Sequence, residues 1–318
     1  MKTTREQILI LLKKHTIISG EDIAEKLNIS RTAVWKHIQQ LKTKGYHIQS
    51  IKHKGYQLSS VPNHPIGEEV SIGLNTKIIG KNIHYFSSLP STNSYAKTIT
   101  KNKKAEGTVI IAGEQTAGRG RKKRTWHAKQ GGLYFSIILH PNLPPQRAMI
   151  VTMAASIAVV EAINAITKEK AVIKWPNDVL IDGKKICGVL TEIDAEMDSI
   201  HYLIIGIGIN VNNPIDPSLA SIATNLKTIT HSTINLAELL QHILNCFDQL
   251  YQHITKSEYD YIKKQWLSHT NIIGKTIQIQ KEKTILKGTA IGITETGSLL
   301  IKTKKGEKQI VTGDVEYL

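Results

Sequence analysis

Proline at both ends of Pro62-Asn63-His64-Pro65 prevents this tetrapeptide from continuing a helix or lying inside a sheet, so the chain passes through it as a linker. Apolar patterning differs on its two sides. A chain of 318 residues has room for two or three hydrophobic cores, at roughly 150 residues per domain. The breaks predict three units, residues 1–62, 66–270 and 271–318.

In residues 5–14, Ile8, Leu11 and Leu12 follow helical spacing, and Ser19 with Asp22 forms a capping-box pair at the start of a second helix, 21–27. Asn28 and Ile29 break the pattern. Ser30 caps a third helix, 31–42, with Val34, Ile38 and Leu41 on one stripe and Gly45 at its expected C-terminal cap. Residues 46–51 and 56–58 then alternate apolar and polar around Lys52-His53-Lys54-Gly55, a β-hairpin pattern with a basic tip. The order predicts a winged helix-turn-helix. Its third helix offers Arg31, Thr32, Trp35, Lys36 and Gln39 to phosphates or base edges in a major groove, with Lys52, His53 and Lys54 along the DNA backbone. The same charges would also suit a small solvated helical domain. Helix order, caps, basic bias and basic tip together favour DNA.

Beyond the linker, strands at 108–112, 133–139, 172–173, 189–193 and 202–209 mix with helices at 93–99, 149–166, 235–254 and 257–266. That mixture predicts a layered α+β domain. From residue 274 onward, short β-rich segments between Gly288, Gly292, Gly297, Gly306 and Gly313 predict a small five-stranded SH3-like β-barrel. The fold class is multidomain α+β.

The net charge of +15 is unevenly spread. Residues 1–62 and 63–126 each carry 11 basic and 4 acidic side chains, residues 127–270 carry 11 and 13, and residues 271–318 carry 8 and 5. The first excess points to nucleic acid. The second is concentrated at 119–124 and points to a bound phosphate. Cys187 and Cys246 are far apart and form no C-x-x-C pair, which excludes a disulfide framework or structural zinc site and favours a reducing cytosol. The apolar run from Ile8 to Leu12 is too short for a signal-peptide core, and the uncharged apolar stretch 148–160 ends at Glu161, short of the roughly 18 to 20 residues that cross a bilayer. A cytoplasmic protein with no membrane partner is expected.

The most informative segment is 113–126, directly after a strand. Gly118 and Gly120 permit positive φ and close backbone approach, so N–H groups can form an anion nest while Arg119, Arg121 and Arg124 supply forked donors. It is neither a Walker loop nor Gly-x-Gly-x-x-Gly. On composition alone, a flexible basic surface loop fits as well. Ser91-Thr92-Asn93 stands before a helix, either as a cap or as a ligand contact, and 174–178 is either a turn or a charged and amide pair held by Pro176. Lys184-Lys185-Ile186-Cys187-Gly188 precedes a strand, and Gly206-Ile207-Gly208-Ile209-Asn210 closes one with small residues and an amide.

Taken in order, Ser91-Thr92-Asn93, Gln115-x-x-Gly118-Arg119-Gly120-Arg121-x-x-Arg124-x-Trp126, Lys174-Trp175-Pro176-Asn177-Asp178, Lys185-Ile186-Cys187-Gly188 and Gly206-x-Gly208-x-Asn210 resemble biotin-protein ligases. With a winged helix in front and a small barrel behind, the whole chain resembles the bifunctional bacterial members that also repress the biotin operon. Lys123 departs from members with glycine there. The resemblance implies a central biotin/lipoate ligase-like fold, similar to class II synthetases. It also implies two reactions: biotin and ATP give biotinyl-5'-AMP and pyrophosphate, and the biotinyl group then passes to a lysine of a biotin carboxyl carrier protein.

By resemblance, Ser91, Thr92, Asn93 and Gln115 hold the ureido end of biotin, and Gly118, Arg119, Gly120, Arg121 and Arg124 fold over the adenylate. Lys185 meets the acyl-phosphate region, so Arg119, Arg121 and Lys185 are the catalytic candidates. Trp126, Gly188, Gly206, Gly208 and Asn210 line the pocket, while Asn177 and Asp178 stand on the side of the triphosphate and its Mg²⁺, with no dedicated metal site. The adenylate is the implied corepressor, ordering the arginine loop and promoting a homodimer that binds operator DNA. A lipoate-protein ligase is the nearest rival; a ligand-sensing transcription factor without catalysis leaves the arginine loop unused, and an RNA-modifying enzyme fits poorly with the acidic balance of 127–270.

Overall fold

The computed structural model describes residues 2–62, 64–281 and 284–318, apart from the side chains of Lys103, Lys281 and Thr284. Asn63 of the expected linker lies outside the described residues. The chain divides into two compact units, Met1–Leu74 and Asn75–Leu318.

In the first unit, Thr3 and Glu6 cap α1 (Thr4–Lys14) reciprocally, and the Ser19 hydroxyl accepts the Asp22 N–H at the start of α2 (Gly20–Leu27). Asn28 turns the chain in the left-handed region, and Ser30 accepts the Ala33 N–H to start α3 (Arg31–Thr43). Strands β1 (His47–Ile51) and β2 (Gly55–Ser60) form the wing. Gly55 has φ +122°, and a Cβ there would stand 2.1 Å from the Ile18 carbonyl oxygen. The glycine lets Tyr56 and Ile18 exchange backbone hydrogen bonds of 2.8 and 3.0 Å, which seat the wing on the α1–α2 connection. Ile8, Leu12, Ile23, Val34, Ile38, Leu41 and Ile48 are buried as the core.

Just past the linker, α4 (Gly67–Ile72) belongs to this first unit and buries two carboxylates. Glu68 pairs with Arg5 at 3.1 Å and with Lys44, and Glu69 pairs with Lys13 and accepts from the Tyr46 hydroxyl at 3.1 Å. Burial of such charges is tolerable because cations and a hydroxyl satisfy them. Burial and the two carboxylates push the Tyr46 hydroxyl well above its ordinary pKa.

The second unit runs β3 (Ile83–Leu89), α5 (Thr92–Ile99), β4 (Val109–Gln115), β5 (Leu133–Leu139), α6 (Ala148–Thr167), β6 (Val172–Lys174), β7 (Asp178–Ile181), β8 (Lys184–Ala195), β9 (Ile200–Ile209), α7 (Leu226–Thr230), α8 (Leu236–Thr255) and α9 (Tyr259–Ser268). Its seven strands pair in the order β3-β4-β5-β9-β8-β7-β6, parallel between β3 and β4 and antiparallel elsewhere. Every residue of β5 is buried, and α5 packs on β4, β5 and β9 through Ala96 against Ile110, Ile138 and Ile204. Strands β3 and β7 were not expected: β3 lacks clean alternation, and β7 has four residues beside a turn.

Helix α6 is long and apolar enough to cross a bilayer by length and composition, since it continues past Glu161 to Thr167. Here it is a core helix. Thirteen of its residues are buried, it packs on β6 to β9 and against α8 and α9, and Glu161 lies at its rim, paired with His269 at 2.7 Å.

The C-terminal part, β10 (Thr276–Lys281), β11 (Thr284–Ile293), β12 (Leu299–Thr303), β13 (Gly306–Ile310) and β14 (Asp314–Tyr317), is an antiparallel sheet ordered β13-β12-β11-β10-β14. Ile277, Ile279, Ala290, Ile293, Leu299, Ile301, Ile310 and Val315 are among its buried residues.

Candidate functional site

Parallel pairing sets Leu89 of β3 opposite Gln115 of β4, so the start of α5 and the end of β4 meet. Ser91 caps α5 by accepting the Ser94 N–H. The Thr92 N–H and hydroxyl both donate to Gln115 Oε1, at 2.8 and 3.2 Å. Asn93 is buried across β9, where a Cβ on Gly206 would stand 2.3 Å from its Oδ1. Glycine at that position of the sheet is what admits the amide.

The arginine loop departs from expectation in where its left-handed residues fall. Lys122 and Lys123 take φ +54° and +60°, whereas Gly120 has φ −110°. Lys123 therefore holds a backbone conformation that glycine adopts at lower cost. Gly118 serves close approach instead, since a Cβ would lie 2.4 Å from the Trp126 carbonyl oxygen.

Arg119, Arg121, Lys122 and Arg124 of the loop have partners. Arg119 donates to Ser94 Oγ at 3.0 Å and lies 3.5 Å from Glu192, and Arg121 donates to Asn177 Oδ1 at 3.0 Å and Thr312 Oγ1 at 2.7 Å. Burial moves the Arg121 guanidinium below its ordinary value against the charges of Asp314 and Asp178. Lys122 (3.1 Å) and Arg124 both bond to Asp314. Burial would raise the Asp314 carboxyl, but those two bonds hold it below the usual range.

On the facing strands, Lys185 Nζ lies 2.7 Å from Asp178 and 5.4 Å from the Trp126 ring centroid. The indole lies so close to β8 and β9 that a Cβ on Gly208 would meet its Nε1 at 2.5 Å and one on Gly188 its Cζ3 at 3.2 Å. Asn177 Nδ2 donates to the Val189 carbonyl at 2.6 Å.

Fifteen expected residues thus line one cleft of about 220 Å³: Ser91, Thr92, Asn93, Gln115, Arg119, Gly120, Arg121, Arg124, Trp126, Asn177, Asp178, Lys185, Gly188, Gly206 and Gly208. Its mixed polar and apolar walls suit a small organic ligand. Gly118 and Asn210 stand outside the lining; Asn210 is buried and accepts from Asn213 Nδ2 at 3.2 Å and, through its carbonyl, from the Leu226 N–H. Sequence reasoning missed Asp314 and Val315 in the lining, and Ser136 and Glu192 behind it. Each is a lone residue on a strand, with no motif to mark it. Among the described residues, no group of three or more His, Cys, Asp or Glu could hold a metal ion.

In the first unit Arg31, Thr32, Trp35, Lys36, Lys52, His53 and Lys54 are exposed and Gln39 is half-buried. Arg31, Thr32, Trp35, His53 and Lys54 border one groove between α3 and the wing.

The Biotin/lipoate A/B protein ligase family matches residues 85–210, an HTH domain family matches 4–57, and the Biotin protein ligase C terminal domain matches 272–317. The chain is similar to the bifunctional ligase/repressor BirA of Bacillus subtilis, at 39% identity over 99% of this chain and 98% of the relative. The corresponding protein of Escherichia coli is 27% identical over 93% of this chain and 91% of its own. Among solved structures, the biotin protein ligase from Aquifex aeolicus in complex with biotin and ATP superposes with a TM-score of 0.65 at 30% identity, covering 75% of this chain and 99% of that one. Near-complete coverage at this identity, across winged helix, central domain and C-terminal sheet, means that the chain belongs to the BirA family of bifunctional ligase/repressors.

Proposed function

We propose that this protein is an ATP-dependent biotin-protein ligase that also acts as a biotin-responsive transcriptional repressor. The observation that carries the ligase reading is the meeting, in one cleft, of a hydroxyl and amide cluster at one end and the 119–124 cations with Lys185 at the other. The first suits a cyclic urea, and the second suits a polyphosphate.

In the first step a biotin carboxylate oxygen attacks the α-phosphorus of ATP, the bond to the pyrophosphate oxygen breaks, and biotinyl-5'-AMP remains. Two anions must approach, so the residues act by neutralising charge and fixing position. Arg119, Arg121 and Arg124 close over the phosphate, and Lys185 leaves Asp178 for the acyl-phosphate oxygens. Ser91, Thr92, Asn93 and Gln115 hold the ureido ring, and Trp126 with Gly188, Gly206 and Gly208 forms the apolar wall. Asn177 and Asp178 would face Mg²⁺ carried on the nucleotide, which would supply further charge neutralisation. In the second step the neutral ε-amine of the carrier lysine attacks the acyl carbon and AMP departs. The nucleophile comes from the carrier, so the cleft needs none of its own.

The adenylate, retained under the loop, acts as corepressor: it favours a homodimer in which two winged helices meet an inverted-repeat operator through Arg31, Thr32, Trp35, Lys36, Gln39 and the wing residues Lys52, His53 and Lys54. Two unpaired cysteines support a cytosolic location. Incubation with biotin, ATP-Mg²⁺ and a biotin carboxyl carrier domain, scored by a biotin blot, tests the enzyme. Labelling with lipoate and not with biotin would overturn it. Sedimentation with and without biotinyl-AMP tests the dimer, and a protein monomeric at micromolar concentration with the adenylate bound would count against it.

A further inference from the structure

Ser136 on β5 is fully buried, and Glu192 on β8 is half-buried, directly behind the cleft residue Asn93. Glu192 accepts from Asn93 Nδ2 and from Lys97 Nζ, each at 2.7 Å, and lies 3.5 Å from the Arg119 guanidinium. At the other end of the amide, the Ser136 hydroxyl is 2.6 Å from Asn93 Oδ1 and 2.7 Å from Thr92 Oγ1. A carboxylate only accepts, so the Asn93 amino group must face Glu192 and its oxygen must face Ser136 and Gly206. The Leu190 carbonyl, 3.4 Å from the same Asn93 amino group, is a second and longer acceptor at that end, so Glu192 at 2.7 Å makes the stronger of the two bonds that hold the amide's polarity. Burial would raise the Glu192 carboxyl, but hydrogen bonds from Lys97 and Asn93 and the charges of Lys97 and Arg119 keep it below the ordinary range, so it remains a carboxylate.

We propose that Glu192 is a positioning residue for the ligand's ureido end: it fixes the polarity of the Asn93 amide, so that the wall offers an acceptor to an N–H-bearing ring, and it ties that wall to the arginine loop through Arg119. The inference rests on the biotin reading of the cleft. Two surfaces on different segments, the 91–93 cluster and residue 119, thereby share one counter-ion.

Titration calorimetry of the full chain with biotin alone, and separately with ATP, tests this. Glu192→Gln, nearly isosteric but able to donate, raises the Kd for biotin by about tenfold, the loss of one charge-assisted hydrogen bond, and leaves that for ATP within about twofold. Lys97→Met removes the ion pair from the same carboxylate without touching Asn93 and leaves biotin binding within about twofold. Ser136→Ala reads the opposite end of the amide and weakens biotin several-fold. The proposal is overturned by unchanged biotin affinity in either Glu192→Gln or Ser136→Ala, or by Lys97→Met weakening it as much as Glu192→Gln does. Failure of the unsubstituted protein to bind biotin would refute the biotin reading itself, and this proposal with it.

Discussion

Gly206→Ala offers a severe test of the cleft from a single methyl group. The new Cβ would stand 2.3 Å from Asn93 Oδ1 and 2.8 Å from its Cγ, closer than real contacts allow. Strand β9 cannot retreat, because Gly206 is paired with Ser136 on one side and Leu190 on the other. The Asn93 amide must therefore move, which stretches its 2.7 Å bond to Glu192 and its 2.6 Å contact with Ser136. Overpacking costs about 1–3 kcal/mol, and a hydrogen bond to a charged group contributes about 1.5–3 kcal/mol, so with partial relaxation about 2–4 kcal/mol is lost locally. At 1.4 kcal/mol per decade this predicts biotin binding weakened roughly 30- to 700-fold. Gly292→Ala is the control: nothing lies within 4 Å of its added Cβ, and its φ is not in the left-handed region. Calorimetry with biotin and with ATP separates the subsites, since the nucleotide end does not contact Asn93. Biotin affinity within threefold of the unsubstituted protein would refute the placement of Asn93 in the ligand wall.

Other substitutions address the loop and the DNA face. Arg121→Gly removes the bonds to Asn177 and Thr312, and at about 1.5–3 kcal/mol each before relaxation the adenylate should escape on the order of 100-fold faster, labelling lysines indiscriminately; unchanged retention in a filtration assay would count against a clamping role. Asp314 has a folded-state pKa below its unfolded one, so its contribution is complete above the unfolded value of about 3.9 and is lost as pH falls through the lower folded value. Hydrogen exchange in residues 118–124, corrected for intrinsic rates, should thus be constant between pH 5 and 8 and rise only in stronger acid, whereas Asp314→Asn should show raised exchange across the whole range. Lys36→Ala should lower operator affinity alike for matched and mismatched sites and reduce the salt slope by about one; a sequence-dependent loss would instead make it a base contact.

Local signals sufficed for the first unit. Ser30, Asn28 and the Val34, Ile38, Leu41 stripe act within one or two turns, and the caps and core follow directly from them. The expected helix 149–166 agrees with α6, but nothing local to it shows that Glu161, which ends the uncharged stretch 148–160, sits at the rim and pairs with His269. Likewise Gly118 and Gly120 marked the loop but not its backbone, since the left-handed φ values fall on Lys122 and Lys123.

By itself, the sequence determined the two kinds of basic surface, the winged-helix order and the residue types of a phosphate-handling loop, because caps, periodicity and charge are short-range properties. Only the tertiary structure decided which of those residues face one another. Pairing of β3 with β4, and of β9 with β5 and β8, brings Asn93 to Gly206, to Ser136 43 residues along the chain and to Glu192 99 residues along. Asp314 reaches the arginine loop from the far end of the chain in the same way. Such partners carry no local signature, since a lone serine, glutamate or aspartate on a strand acquires its meaning from what packs across from it.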